Sequence, residues 1–324
     1  MKKRYWLLMA LWWSCVGGLP VHAQGAFAPT RQVTLVVPFP PGGGTDALGR
    51  IVVERLSALW KQPVIVDNRA GAQGNVGTAW AAKAPADGHT LVLAHQGVFT
   101  VNPHLYKESS LDPLKDFKPI TRGTQQPFVL VAHPSLPAQS VRELVALAKT
   151  QPGKLSYGSS ASGPQLAGEM FKSTTQVDML HIAYKGAGPA VVDLLAGHIP
   201  LMVANPASVA PHVRTGKLKA LVLFGKDPLD VLPGTPTAEQ AGYPALGEMP
   251  EWYGFAVPAA TPTATVNALN QDLQAVLQEP GVQSRIRALG LVPAPSTPDA
   301  FAEQIRRDHQ AVARLVKLAG IEPQ

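Results

Sequence analysis

Residues 40–46, Pro-Pro-Gly-Gly-Gly-Thr-Asp, have the composition of a loop that grips an anion through peptide N–H groups. They follow an apolar run, Val33–Val37, and precede residues at helical spacing. A glycine loop between a strand and a helix directs its amides to the positive end of the helix dipole. Glycine also lets the backbone approach a ligand closely. Phe39, Gly43, Gly44, Thr45 and Asp46 are the candidate contacts here, with Thr45 a candidate helix N-cap. A second polar loop, Tyr157-Gly158-Ser159-Ser160-Ala161-Ser162-Gly163, sits in the same kind of position, and Ser159, Ser160 and Ser162 are its candidates. Gln96, after a third strand, and Asn205, at the end of another, complete the set.

Spacing decides which anion. A Walker A loop ends in Gly-Lys-Ser/Thr, whereas Gly44 is followed by Thr45 and Asp46. A dinucleotide fingerprint fits loosely through Gly42, Gly44, Ala47 and Asp67, but Asp46 would set a negative charge beside a pyrophosphate. A carboxylate, smaller and singly charged, suits the loop better. Three or four hydrogen bonds to a charged group, at about 1.5–3 kcal/mol each, reach the ~8 kcal/mol of a micromolar site. The serine loop lacks the G-x-S-x-G frame of a nucleophile elbow. The histidines are scattered without metal-ligand spacing. No residue pattern asks for a cofactor, a metal or a catalytic group, and the expectation is a binding protein instead of an enzyme.

These loops need a scaffold, and the chain supplies strand-like and helix-like runs in alternation. Val33–Val37, Val64–Val66 and Leu91–Ala94 read as strands, with helices over 46–60 and 78–84 between them. That alternation implies right-handed crossovers and a parallel sheet. A second set starts after Gly123: strands at 128–132, 155–158, 180–184, 201–204 and 218–224, with helices between them. Residues 228–250 form a proline- and glycine-rich connector, and a strand at 253–257 leads into three helices ending near Leu318. The helical tail cannot bury itself alone and is expected to return to the first lobe. The fold class is therefore α/β, with two lobes: 24–124 with 247–324, and 125–246. Ligands of open α/β sheets sit beyond the carboxyl ends of the strands, which here means the cleft between lobes.

The N-terminus carries Lys2, Lys3 and Arg4, an apolar stretch from Trp6 to Val16, and Val21-His22-Ala23. This is the pattern of a signal peptide over residues 1–23, which places the protein in the periplasm. Cleavage would remove Cys15, the single cysteine, and halve the formal charge of +6. No Lys/Arg block follows, so nucleic acid is not an expected partner.

Several further motifs fall in a familiar order: Asn68-Arg69-Ala70-Gly71-Ala72-Gln73-Gly74-Asn75, Asp87-Gly88-His89-Thr90-Leu91, Asn102-Pro103-His104-Leu105-Tyr106, Leu166-Ala167-Gly168-Glu169, Ala183-Tyr184-Lys185-Gly186 and Asp193-Leu194-Leu195-Ala196-Gly197. Together with the glycine loop they resemble the Bug (TctC-like) extracytoplasmic solute receptors of tripartite tricarboxylate transporters, over essentially the whole mature chain. The resemblance implies a type II periplasmic-binding-protein fold that closes on a carboxylated small molecule. It implies delivery of that ligand, by a monomeric receptor, to the membrane permease subunits. It also implies that Phe39, Gly43, Gly44, Thr45 and Asp46 bind a ligand carboxylate, partly through bridging waters, and that Ser159, Ser160, Ser162 and Asn205 serve the second wall. One stretch departs from the family: the loop between Ser160 and Leu166 is about two residues shorter, and Gln165 stands where a histidine is usual. Two other roles stay open on sequence, a solute sensor for a two-component system and an exported enzyme acting on organic acids.

Overall fold

Four of the five residues of Val33–Val37 are fully buried, which marks a strand covered on both faces. The computed structural model of the chain describes residues 27–106, 111–247 and 251–318; the expected signal peptide lies outside them. Strands β1 (Val33–Val37), β2 (Val64–Asn68) and β3 (Thr90–His95) are joined by helices α1 (Gly44–Trp60) and α2 (Asn75–Ala82). They pair in parallel, with β1 between β2 and β3. After β3 come a π-helical turn (Gly97–Val101), the short helices α3 (Asn102–Leu105) and α4 (Pro113–Asp116), and the ten-residue strand β4 (Phe117–Gln126).

Pro127 then carries the chain into a second sheet. Its elements are β5 (Phe128–Ala132), α5 (Val141–Thr150), β6 (Ser156–Ser159), α6 (Ser162–Thr175), β7 (Leu180–Ala183), α7 (Ala187–Leu195), β8 (Leu201–Ala204), α8 (Pro206–Arg214) and β9 (Lys219–Phe224). The chain returns through β10 (Glu251–Pro258), α9 (Thr263–Gln278), α10 (Pro280–Ala288), β11 (Val292–Pro293) and α11 (Pro298–Leu318). The two sheets have strand orders β11-β4-β10-β3-β1-β2 and β7-β6-β8-β5-β9. The molecule is a two-lobed α/β protein with the type II periplasmic-binding-protein architecture.

Neither sheet is purely parallel. β10 runs antiparallel to both β3 and β4, and β5 antiparallel to both β8 and β9. The reason is connectivity: a strand that enters from the other lobe has no crossover helix to reverse it, so it runs against its neighbours. β4 escapes the hydrophobic pattern because its buried face is partly polar. Thr121, Thr124 and Gln126 are buried, and Thr121 Oγ1 donates to the Ser296 carbonyl at 2.9 Å.

The first lobe's core joins Val33, Leu35 and Val37 to Leu48, Val52 and Leu56 of α1, and to Leu269 and Leu273 of α9. Leu59, at the same helical spacing, is 48% exposed because α1 ends beyond the sheet. Helix α9 of the tail packs on the first sheet, and α11 does more. Phe301 and Ile305 pack with Trp252 and Phe99 beside the first sheet. Val312 and Val316, further along the same helix, enter the second lobe's core with Phe128 and Phe171. Trp252 Nε1 donates to Asp308 Oδ2 at 2.7 Å between those halves. α11 is a strap across both lobes.

Gly254, in β10, makes that packing possible. A Cβ there would lie 2.4 Å from Phe301 Cζ and 2.9 Å from the Thr121 carbonyl oxygen. Gly254→Ala is expected to destabilise the protein by about 1–3 kcal/mol through overpacking. Urea unfolding measures this, and an unchanged midpoint would contradict the close approach of Phe301 to the strand.

Candidate functional site

The glycine loop closes onto the start of α1. The helix begins at Gly44, and the N-cap position is Gly43, in extended conformation with no side-chain cap bond. Thr45 is thus inside the first turn and is not the cap. The first N–H groups of such a helix have no intrahelical acceptor. Gly42, at φ +91°, lies in the left-handed region that favours glycine.

Asp46 turns away from the cleft and braces the loop. Its Oδ2 accepts from the Gly42 N–H at 3.1 Å and Arg50 Nε at 3.0 Å. Its Oδ1 accepts from Asn68 Nδ2 at 3.1 Å, and the same nitrogen donates to the Phe39 carbonyl at 3.0 Å. Burial pushes the Asp46 carboxyl up, but the bonds from Arg50, Gly42 and Asn68 and the Arg50 charge outweigh it, holding it below the ordinary value.

The second lobe brings three more helix starts to the same place. A cavity of about 30 Å³ is lined by Phe39, Gly43, Gly44 and Thr45 on one side, and by Ser160, Ala161, Ala187, Gly188 and Asn205 on the other. Ala161 is the N-cap position of α6, Ala187 and Gly188 open α7, and Asn205 is the N-cap position of α8. None of these three has a side-chain cap bond either. The two walls stand close together across it. A Cβ on Gly44 would stand 3.0 Å from Ala207 Cβ, and one on Gly186 3.0 Å from Pro40 Cγ.

The remaining sequence candidates lie near the cavity but are turned differently. Ser159 Oγ is hydrogen-bonded to His181 Nε2 at 2.8 Å and does not line the cavity. Gln96 and Ser162 are buried where the turn after β3 meets α6, and Gln96 Oε1 and Ser162 Oγ have no partner. A Cβ on Gly97 would sit 2.8 Å from Ser162 Oγ, and one on Gly163 3.2 Å from Gln96 Oε1. These two glycines let the lobes meet there.

The cleft floor was not legible in the sequence. His95, Gln126, Glu251 and Tyr253 are all buried. Glu251 Oε2 accepts from Gln126 Nε2 at 3.3 Å and from Tyr253 Oη at 3.2 Å. Asn205 Nδ2 donates to Tyr253 Oη in turn. His95 Nε2 lies 3.1 Å from Glu251 Oε1, close enough for an ion pair. The N–H does not point along that line, and Oε1 has no aligned donor; the distance matters less than the missing alignment. Burial first, and then the Glu251 charge, push the Tyr253 phenol well above its ordinary value, so it stays protonated. The one available signal was positional: β4 ends at Gln126 and β10 begins at Glu251, where the chain crosses between the lobes.

A larger cavity, about 550 Å³, opens on the hinge side between Gln125, Pro127, Gly225, Leu229 and Asp308. No helix starts on its wall, which presents Lys226 beside two acids, Asp227 and Asp308. An anion favours the smaller cavity, where amides converge. Among the described residues, no group of three or more His, Cys, Asp or Glu side chains could hold a metal ion. Nor is any helix among them long and apolar enough to cross a membrane.

Comparison with known proteins agrees with this geometry. The family model described as "Tripartite tricarboxylate transporter family receptor" matches residues 48–320. The chain is 36% identical to protein BugT of Bordetella pertussis, over 94% of each sequence. It superposes on Rpa4515 of R. palustris, solved with adipate, with TM-score 0.88 and 34% identity over 91% of this chain and 99% of that one. MatC from Rhodopseudomonas palustris, solved with bound malate, gives TM-score 0.83 and 28% identity over 89% and 99%.

The Asp46 brace predicts a pH dependence. A carboxyl held below its ordinary value contributes stability that is present above the unfolded-state value and is lost as pH falls through the folded-state one. Wild-type protein should therefore exceed Asp46→Asn in melting temperature at neutral pH. The gap should narrow below about pH 4. A gap that stays constant into acid would contradict the role given to this carboxylate.

Proposed function

Since the chain belongs to the tripartite tricarboxylate transporter receptor family, we propose that it captures a small carboxylated organic acid in the periplasm and delivers it to the permease subunits of such a transporter. The observation that carries the reading is the meeting of four uncapped helix starts at one cavity between the lobes. Helix N-termini favour negative charge, and their free N–H groups are donors already in place. Lys and Arg are absent from the cavity wall. A carboxylate is the anion that matches this field without a metal or a guanidinium.

The adipate bound to Rpa4515 and the malate bound to MatC are both of this class, which supports the same assignment here. In our reading Phe39, Gly43, Gly44, Thr45, Ser160 and Asn205 meet the ligand from the two walls. Asp46, Ser159, Ser162 and Gln96 shape those walls from behind. We take residues 24–124 with 247–324 as one lobe and 125–246 as the other, the ligand entering as they part. Export through residues 1–23 would bring the monomer to the periplasm. We read the protein as acting by binding and not by catalysis, which its membership of a receptor family supports.

A thermal-shift panel of mono-, di- and tricarboxylic acids tests the proposal. At least one acid should raise the melting temperature, and Gly44→Asp should abolish that rise by placing charge and bulk against Ala207 and the amides. A folded protein that responds to no acid would overturn the reading. Undiminished binding by Gly44→Asp would move the site elsewhere.

A further inference from the structure

Glu251 lies beneath the cleft with no exposed surface, and its Oε2 accepts from two neighbours. Gly97 N–H donates to His95 Nδ1 at 3.0 Å, and His95 Nε2 lies 3.1 Å from Glu251 Oε1 without being aligned to it. Gln126 Nε2 and Tyr253 Oη supply the two hydrogens that reach Oε2. A carboxylate can only accept. The direction of the whole network is therefore fixed from this end.

That direction propagates to the ligand. Tyr253 spends its single hydrogen on Glu251, so its oxygen must accept from the next group. Asn205 meets it with Nδ2, which leaves Oδ1 as the polar atom still available on a residue that lines the cavity. Oδ1 is buried and has no donor. Leaving a buried acceptor unpaired is costly, so a ligand that supplies a hydrogen here gains over one that does not. The place is close to the glycine loop: a Cβ on Gly44 would lie 3.6 Å from the same Tyr253 Oη.

Resting on the reading of the cleft as an organic-acid site, we propose that Glu251, acting through Tyr253 and Asn205, selects acids that carry a hydrogen-bond donor next to the bound carboxylate. The class is 2-hydroxy and 2-amino acids, in preference to their unsubstituted parents. Glu251 is a positioning residue in this scheme, since it orients Asn205 without touching the ligand. Its negative charge points the same way: an ammonium or hydroxyl hydrogen is favoured above it, and a second carboxylate is not.

Isothermal titration of the purified protein with matched pairs tests this: malate and aspartate against succinate, 2-hydroxyglutarate and glutamate against glutarate, lactate against propionate. In at least one set the substituted acid should bind ten-fold or more tightly than its parent, as expected for filling a buried acceptor. Glu251→Gln offers an amide that can donate, so the network is free to reverse. Tyr253→Phe cuts the link to Asn205 by a separate route. In both variants the ratio within a pair should fall toward one, with folding checked by circular dichroism. Equal binding within the pairs by wild type, or an undiminished ratio in a folded variant, would overturn the selection while leaving the organic-acid site intact. Failure of every acid, substituted or not, would instead overturn the site itself.

Discussion

A helix start leaves N–H groups that its own hydrogen bonds cannot reach, and in this protein four such starts meet in one cavity. Each carries a partial positive charge of roughly half an elementary unit. No side chain caps them, and no arginine or lysine lines the space between. Much of the architecture serves this convergence. The parallel strands β1, β6 and β8 each end at the cleft and hand over to α1, α6 and α8. α7 follows β7 in the same sense. Parallel strands with helical crossovers put helix N-termini on one side of each sheet, and facing two such sheets concentrates the donors between them.

The site is held by groups that do not face the ligand. Asp46 is an acid in an anion-binding loop, which looks contradictory until its bonds are followed. It is turned back onto Gly42, Arg50 and Asn68 and fixes the loop from behind. Glu251 is a second acid under the same cleft, separated from the glycine loop by Tyr253. It directs the hydrogens of its neighbours without approaching the cavity wall. Around these braces the lobes stay linked by β4, β10 and α11. The first crossing runs through Gln126 and Pro127, and Phe301 packs on Gly254 of the returning strand.

The elements that position the glycine loop were legible because pattern and physics coincide there. A run of buried apolar residues, three glycines and a helical period leave little else to build. Ser160 and Asn205, which line the cavity, were singled out on the same logic, as polar residues at strand ends. β4 was missed because its buried face is made of threonine and glutamine whose partners, such as the Ser296 carbonyl, lie 175 residues away. The cleft floor was missed for the same reason. His95, Gln126, Glu251 and Tyr253 come from three separate strands, and only the antiparallel entry of β10 brings them together. Ser159 shows the opposite failure: its type and position were right for the cleft, but one step along the strand turned it toward His181.

The central claim is that backbone amides, and not charged side chains, hold the ligand's carboxylate. Amide proton and nitrogen shifts of ¹⁵N-labelled protein, titrated with an acid that binds, test it most directly. The account predicts that Gly44, Thr45 and Gly188 move furthest, with their protons shifted downfield as they take up a charged acceptor. Stationary resonances at those three positions, with the large changes at Gly225 and Gly247 beside the hinge cavity, would contradict it.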